Sequence, residues 1–205
     1  NVNLNGYTLT PAGGEADNYE FTYVSGKLYI TPNTSNAYVT ISPESYVYTG
    51  DPIEPTSLVV RVDDAVLVEG RDYDVEYTEH TNVGTVTASI TLKGNYEGTA
   101  SATYEITKAD GEASVTMAGW TYGQTAKNPV PTSSTNGTSN VTYVYYTDSA
   151  CTQLTATTDG ASSAGSKPSY AGSYFVKATF AATSNYKQVT AKASFTIAQK
   201  ALTIS

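Results

Sequence analysis

Reactive side chains are scarce in this chain. Its 205 residues hold one cysteine, one histidine, one methionine and one tryptophan. A single cysteine, Cys151, excludes an internal disulfide framework. It does not fix the compartment, because an extracellular chain whose cores suffice can lack disulfides. His80 and Cys151 lie far apart in sequence, so neither a Cys-His nor a Ser-His-Asp site is expected. Both read as loop or turn residues, and the chain reads as a non-enzyme. Charge is low as well: 15% of residues are charged, against roughly 25% in an average globular protein. The net charge of −8, the pI near 4.5 and the lack of clustered Lys and Arg argue against nucleic acid. No apolar run approaches the roughly 18 residues of a spanning helix, so membrane insertion is not expected. No phosphate-binding glycine loop and no Asp-x-Asp-x-Asp-Gly loop is present. Asp72, Asp74 and Glu76 share one strand face, too few oxygens for a hard cation, and read as a solvated face that discourages edge pairing. Neither a cofactor nor a metal site is expected.

What the chain does have is Thr, Ser and Asn, with 18 Tyr against 4 Phe. Thr and Tyr suit pleated surfaces with one wet face. Eight Pro and 16 Gly sit mainly between alternating runs, and nothing has the period of a long amphipathic helix. The fold class expected is all-β.

One pattern occurs three times. Asn18-Tyr19 leads to Ile30, Asn95-Tyr96 to Ile106 and Asn185-Tyr186 to Ile197, at offsets of 12, 11 and 12 residues. The copies start 77 and 90 residues apart, the length of a small β domain and too long for a solenoid repeat. Each copy therefore closes one module. Asn suits the turn, since its side chain bonds its own backbone and tolerates left-handed φ. Tyr96 and Tyr186 are expected to be largely buried with their hydroxyls bonded to backbone, as at the tyrosine corner of sandwich domains. Asn95, Tyr96, Asn185 and Tyr186 are thus read as structural residues.

Four segments follow. Residues 1–32 hold the closing part of a first module. Residues 36–109 read as a complete module of about seven short strands: 37–42 alternate, Asp63-Asp64 is a candidate two-residue hairpin loop, Tyr73, Val75 and Tyr77 face in, and so do Val86, Ala88, Ile90 and Leu92. Seven short strands without a helix is sandwich arithmetic. Residues 110–200 repeat the plan: Trp120-Thr121-Tyr122-Gly123 stands where Tyr46-Val47-Tyr48-Thr49-Gly50 stood, and Tyr174, Val176, Ala178 and Phe180 match Val86 to Leu92. A β-grasp with one helix across a sheet is the alternative there, because 123–140 has no clear assignment. Residues 201–205 resemble an opening strand, and the chain is expected to be a piece of a longer protein.

The patterns Tyr48-Thr49-Gly50-x-Pro52-Ile53-x-Pro55, Glu69-Gly70-Arg71-Asp72-Tyr73-x-Val75-x-Tyr77, Asn82-Val83-Gly84-Thr85 and Gly94-Asn95-Tyr96-x-Gly98 resemble tandem Ig-like repeats of bacterial, especially Gram-positive, cell-surface proteins. Trp120-Thr121-Tyr122-Gly123 with Asn185-Tyr186, and Asn18-Tyr19 through Ile30, resemble the related MBG-type repeats. The resemblance implies extracellular spacers or adhesin parts with no catalytic residues. Lys-Asn isopeptide cross-links occur in such domains, but strands 37–42 and 113–118 carry no Lys, and 100–107 and 193–198 carry no Asn or Asp, so a first-to-last cross-link is not expected.

The function expected is a non-catalytic structural stalk that projects, or contributes to, an adhesive or enzymatic domain. The alternative is a carbohydrate-binding or host-adhesion module, with a cell-surface glycan or host protein as partner. Tyr145 and Tyr146 alternate and cannot form one platform, which leaves Trp120 with Tyr122, or Tyr146 alone, as outward aromatics. A monomer is expected. The sequence also allows head-to-tail association, the tail of one molecule completing residues 1–32 of the next.

Overall fold

The structure, a computed structural model, describes residues 31–34, 36–155 and 164–204. Every element among them is a strand and none is a helix. The expected all-β class therefore holds. The readings of residues 1–30, including Asn18-Tyr19 and the head-to-tail partner surface, lie outside the described residues.

Between residues 37 and 107 the chain forms seven strands: β1 (Ala37–Ser42), β2 (Ser45–Val47), β3 (Ser57–Val62), β4 (Ala65–Val66), β5 (Tyr73–Tyr77), β6 (Gly84–Leu92) and β7 (Thr99–Thr107). They make two sheets, ordered β1-β3-β4 and β2-β7-β6-β5. Alternation is what lets them stack. Val60 and Val62 of β3 meet Tyr73, Ile90 and Leu92 of the other sheet, and Ile41 of β1 meets Val86, Ala88, Tyr104 and Ile106. Each such side chain contributes about 1.5–3 kcal/mol by leaving water. Asp63-Asp64 is the loop between β3 and β4, with Val62 opposite Ala65 and Asp63 at φ 50, a conformation that Asp tolerates.

The described residues of the second half form six strands: β8 (Ser114–Thr116), β9 (Trp120–Thr121), β10 (Val130–Thr132), β11 (Val141–Tyr146), β12 (Gly172–Phe180) and β13 (Val189–Ala198). Their sheets are ordered β10-β8 and β11-β12-β13-β9. Val115 packs on Ala178 and Phe180, and Met117 on Trp120, Tyr145, Val176, Phe195 and Ile197. The β-grasp alternative needs a helix. None forms among the described residues, and 123–140 holds β10 instead.

The halves share their register. Gly84 stands opposite Ile106 and Gly172 opposite Ile197; Tyr77 stands opposite Ala88 and Tyr145 opposite Val176. In each half an early strand also joins the last strand in parallel, Tyr46 opposite Ile106 and Trp120 opposite Ile197. No ladder among the named strands crosses from one half to the other.

Two sequence expectations need correction here. Asp72 does not share the wet face of Asp74 and Glu76. It precedes β5, is 5% exposed, and accepts from Val68 N at 2.9 Å while Arg71 holds it through Nε and Nη2 at 3.0 and 2.8 Å. Those bonds keep its carboxyl below the ordinary value, the Arg71 hydrogen bond being the largest cause. Residues 201–204, read as an opening strand, form no strand, and Leu202 and Ile204 are exposed.

Candidate functional site at the join between the halves

The link from β7 to β8 is short, and it is bonded on both sides. Ala109 pairs in parallel with Tyr186: Ala109 N donates to Asn185 O at 3.0 Å and Lys187 N donates to Ala109 O at 2.9 Å. Asn33 is held the same way by the earlier copy of the motif, with Asn33 N donating to Asn95 O at 2.8 Å and Glu97 N to Asn33 O at 3.0 Å. The repeated Asn-Tyr turn therefore clasps the segment that leads into its own half, through main-chain groups that any side chain would leave in place.

Side chains extend this clasp across the join. Asn185 Oδ1 accepts from Val83 N at 3.1 Å, and Asn185 Nδ2 donates to Asn82 Oδ1 at 2.8 Å. Lys108 Nζ donates to Thr183 O at 2.6 Å. The Tyr186 ring meets the Tyr48 ring edge-on, with centroids 5.4 Å apart. Lys187 pairs with Asp110 at 2.8 Å, although both side chains are largely exposed and such a pair contributes little.

Each partner is itself positioned. Glu79 accepts from Thr81 N and Asn82 N at 2.9 and 3.1 Å, which fixes the turn presenting Asn82 and Val83. The Thr81 backbone hydrogen bond, more than any other contact, holds the Glu79 carboxyl below its usual value. Behind the Asn-Tyr turn, Asn136 Nδ2 donates to Ala181 O and Lys187 O at 2.8 and 2.9 Å. Ser133 and Thr135 tie the same loop to Glu112. Gly111 lets the link pass: a Cβ there would lie 2.2 Å from Asn136 Oδ1.

The sequence-predicted residues separate on this structure. Asn185 and Tyr186 lie at the join, and Asn95 and Tyr96 at the corresponding turn. Tyr96 and Tyr186 are partly buried, and Tyr96 packs against the Val60 and Val62 cluster. The tyrosine hydroxyl that donates to backbone from within a core belongs to Tyr104, which bonds Ile53 O. Burial pushes the Tyr104 hydroxyl up to about 12.

Of the outward aromatics, Trp120 is buried and stacks on Phe195, with centroids 5.4 Å apart at 15°. It faces the core because β9 lies against β13. Tyr122 is exposed and stacks on Tyr170 at 6.3 Å. Tyr146 is half-buried on β11, opposite Phe175. The structure thus brings Tyr122 together with Tyr170, a residue not singled out from the sequence, and parts both from Tyr146.

Sequence reasoning also missed the roles of Glu79, Lys108, Gly111 and Asn136. Asn82-Val83-Gly84 was visible as a motif, but nothing in it said that it faces another part of the chain. Among the described residues no cluster of His, Cys, Asp or Glu could hold a metal, and His80 packs on Tyr77 with Nδ1 at 2.9 Å from Thr78 O. The bonds at the join tie the two sheet pairs to each other. The chain matches no protein-family model, and no curated protein matches it.

Proposed function

We propose that this chain is a non-catalytic, extracellular spacer region of a bacterial surface protein, made of Ig-like or MBG-type modules at 36–109 and 110–200. It projects, or contributes to, an adhesive or enzymatic domain. The observation that carries this reading is the join itself. A flexible tether needs no bonds between its parts, whereas here Asn185 bonds both Val83 and Asn82, and Lys108 bonds Thr183. Such bonds support a fixed angle between modules, which is what a spacer requires. The repeated register supports the same reading.

The exposed Tyr122 and Tyr170 rings favour a second reading, a glycan or host-protein contact at that face, since aromatic faces stack on sugars. Two measurements decide between them. For a spacer, small-angle scattering of the chain gives one narrow distribution of lengths and a glycan array stays silent. A broad distribution overturns the spacer, and array binding that is lost in Tyr122→Ser establishes the contact reading.

A further inference from the structure

We infer that the outer face of the second half, formed by Tyr122, Tyr170, Ala171, Gln199 and Lys200, is a seat for the Asn-Tyr turn of another unit like residues 109–198. The inference rests on the spacer reading and names the partner of this one face.

The argument is one of register. Trp120 stands opposite Ile197 as Tyr46 stands opposite Ile106. Two residues on, Tyr122 N donates to Ala198 O at 2.8 Å, as Tyr48 N donates to Thr107 O at 2.9 Å. Gly172 stands opposite Ile197 as Gly84 stands opposite Ile106. Tyr122, Tyr170, Ala171 and Gln199 therefore occupy the places of Tyr48, Asn82, Val83 and Lys108. In the first half all four of those places are engaged by the following turn, through the Tyr186 ring, Asn185 and Thr183.

In the second half the same places surround an open recess of about 440 Å³. Tyr122 and Tyr170 are 45% and 47% exposed there. Residues 201–204 run on without a strand and are themselves exposed. Such a pair of rings beside a polar rim has the make-up of a contact surface.

The substitutions are compatible with the same occupant. Ala171 keeps the main-chain N–H that Val83 offers to Asn185. Tyr122 keeps the ring that Tyr186 would meet edge-on. Lys200, one place beyond the position of Lys108, supplies an ammonium to reach a carbonyl as Lys108 reaches Thr183 O. Asn82 becomes Tyr170, which exchanges one amide hydrogen bond for aromatic area.

The experiment fuses a second copy of residues 110–198 directly after Lys200 of the chain, which stands in the place of Ala109. Amide exchange at Ala171 slows on the order of tenfold or more relative to the unextended chain, the size expected of a newly protected amide. Nitration of Tyr122 and Tyr170 falls, and Asn185→Ala in the appended copy alone restores both. Equal exchange at Ala171 in all three proteins overturns the inference. A second variant does not depend on the appended copy folding. Asn82→Tyr with Val83→Ala, made in the unextended chain, places the second-half face under Asn185. Retained protection at position 83 supports the seat, and its loss overturns it. Scattering of the unextended chain tests the spacer reading separately, so a rigid chain with an unprotected Ala171 rejects only the seat.

Discussion

Tyr46 and Trp120 hold the same position in the two halves, each set opposite an isoleucine of the last strand, Ile106 or Ile197, across a parallel pairing. Tyr46 packs edge-on against Tyr104, while Trp120 lies flat on Phe195. Trp120→Ala removes a ring from the Met117, Tyr145 and Phe195 cluster and should destabilise the second half by about 3–5 kcal/mol. Denaturant unfolding followed by amide exchange checks this. Protection within β12 should fall, while protection within β6 is kept.

Asn185→Ala removes one acceptor and one donor across the join. At about 0.5–1.5 kcal/mol for each hydrogen bond, neither half should unfold. The coupling between them should weaken, seen as a wider distribution of lengths in scattering and faster exchange at Val83. An unchanged distribution would mean that the Ala109 clasp, the Lys108–Thr183 bond and the Tyr48–Tyr186 contact suffice without Asn185.

Two glycines are close-approach positions. A Cβ on Gly119 would lie 2.4 Å from Thr196 O, a main-chain atom of β13, and one on Gly111 would meet Asn136 Oδ1. Overpacking of this kind costs about 1–3 kcal/mol. Gly119→Ala should lower the melting temperature of the second half, and Gly111→Ala should disturb the join, read as faster exchange at Lys187.

Acid should act through Asp72 and Glu79. Both carboxyls sit below their ordinary values in the fold, so the folded state binds their protons less readily than the unfolded chain does. Their contribution is present above the ordinary carboxylate values of 3.8 and 4.5. It fades as pH falls through the lower folded values. The pH dependence of the melting temperature should be shallower in Asp72→Asn below pH about 4, and exchange at Asn82 and Val83 should quicken in Glu79→Gln at neutral pH.

Alkali should act through Tyr104 and Tyr145, whose hydroxyls burial raises to about 12. Their neutral forms favour the fold below pH about 10, the unfolded value. That contribution is lost as pH rises from about 10 towards 12. Spectrophotometric titration should show these two ionising after the exposed tyrosines, and Tyr104→Phe should remove one late step.

Alternation made the cores legible. Val86, Ala88, Ile90 and Leu92 read as inward from the sequence and are all buried, because a half-buried strand must alternate. Trp120 was not legible, for a local reason. The alternation of Trp120 and Tyr122 puts both on one face, but β9 ends at Thr121, and the chain turns through Gly123 at φ 85 with Gln124 N bonded to Thr121 O. Tyr122 thereby leaves the face that Trp120 keeps. Asn185 was legible as a turn former and illegible as a bond across the join, since its partners lie about a hundred residues away and no local pattern encodes such a distance.

The parallel pairing of an early strand with the last one also sets how each half bears load. Tension that enters ahead of β2 and leaves beyond β7 draws those two strands past each other along their length, and β9 with β13 likewise. The hydrogen bonds between them are then strained together instead of parting one by one, as they would at the open end of a hairpin. The short parallel pairings at Tyr46 and Trp120 would thus meet such a pull in shear and not at an open end.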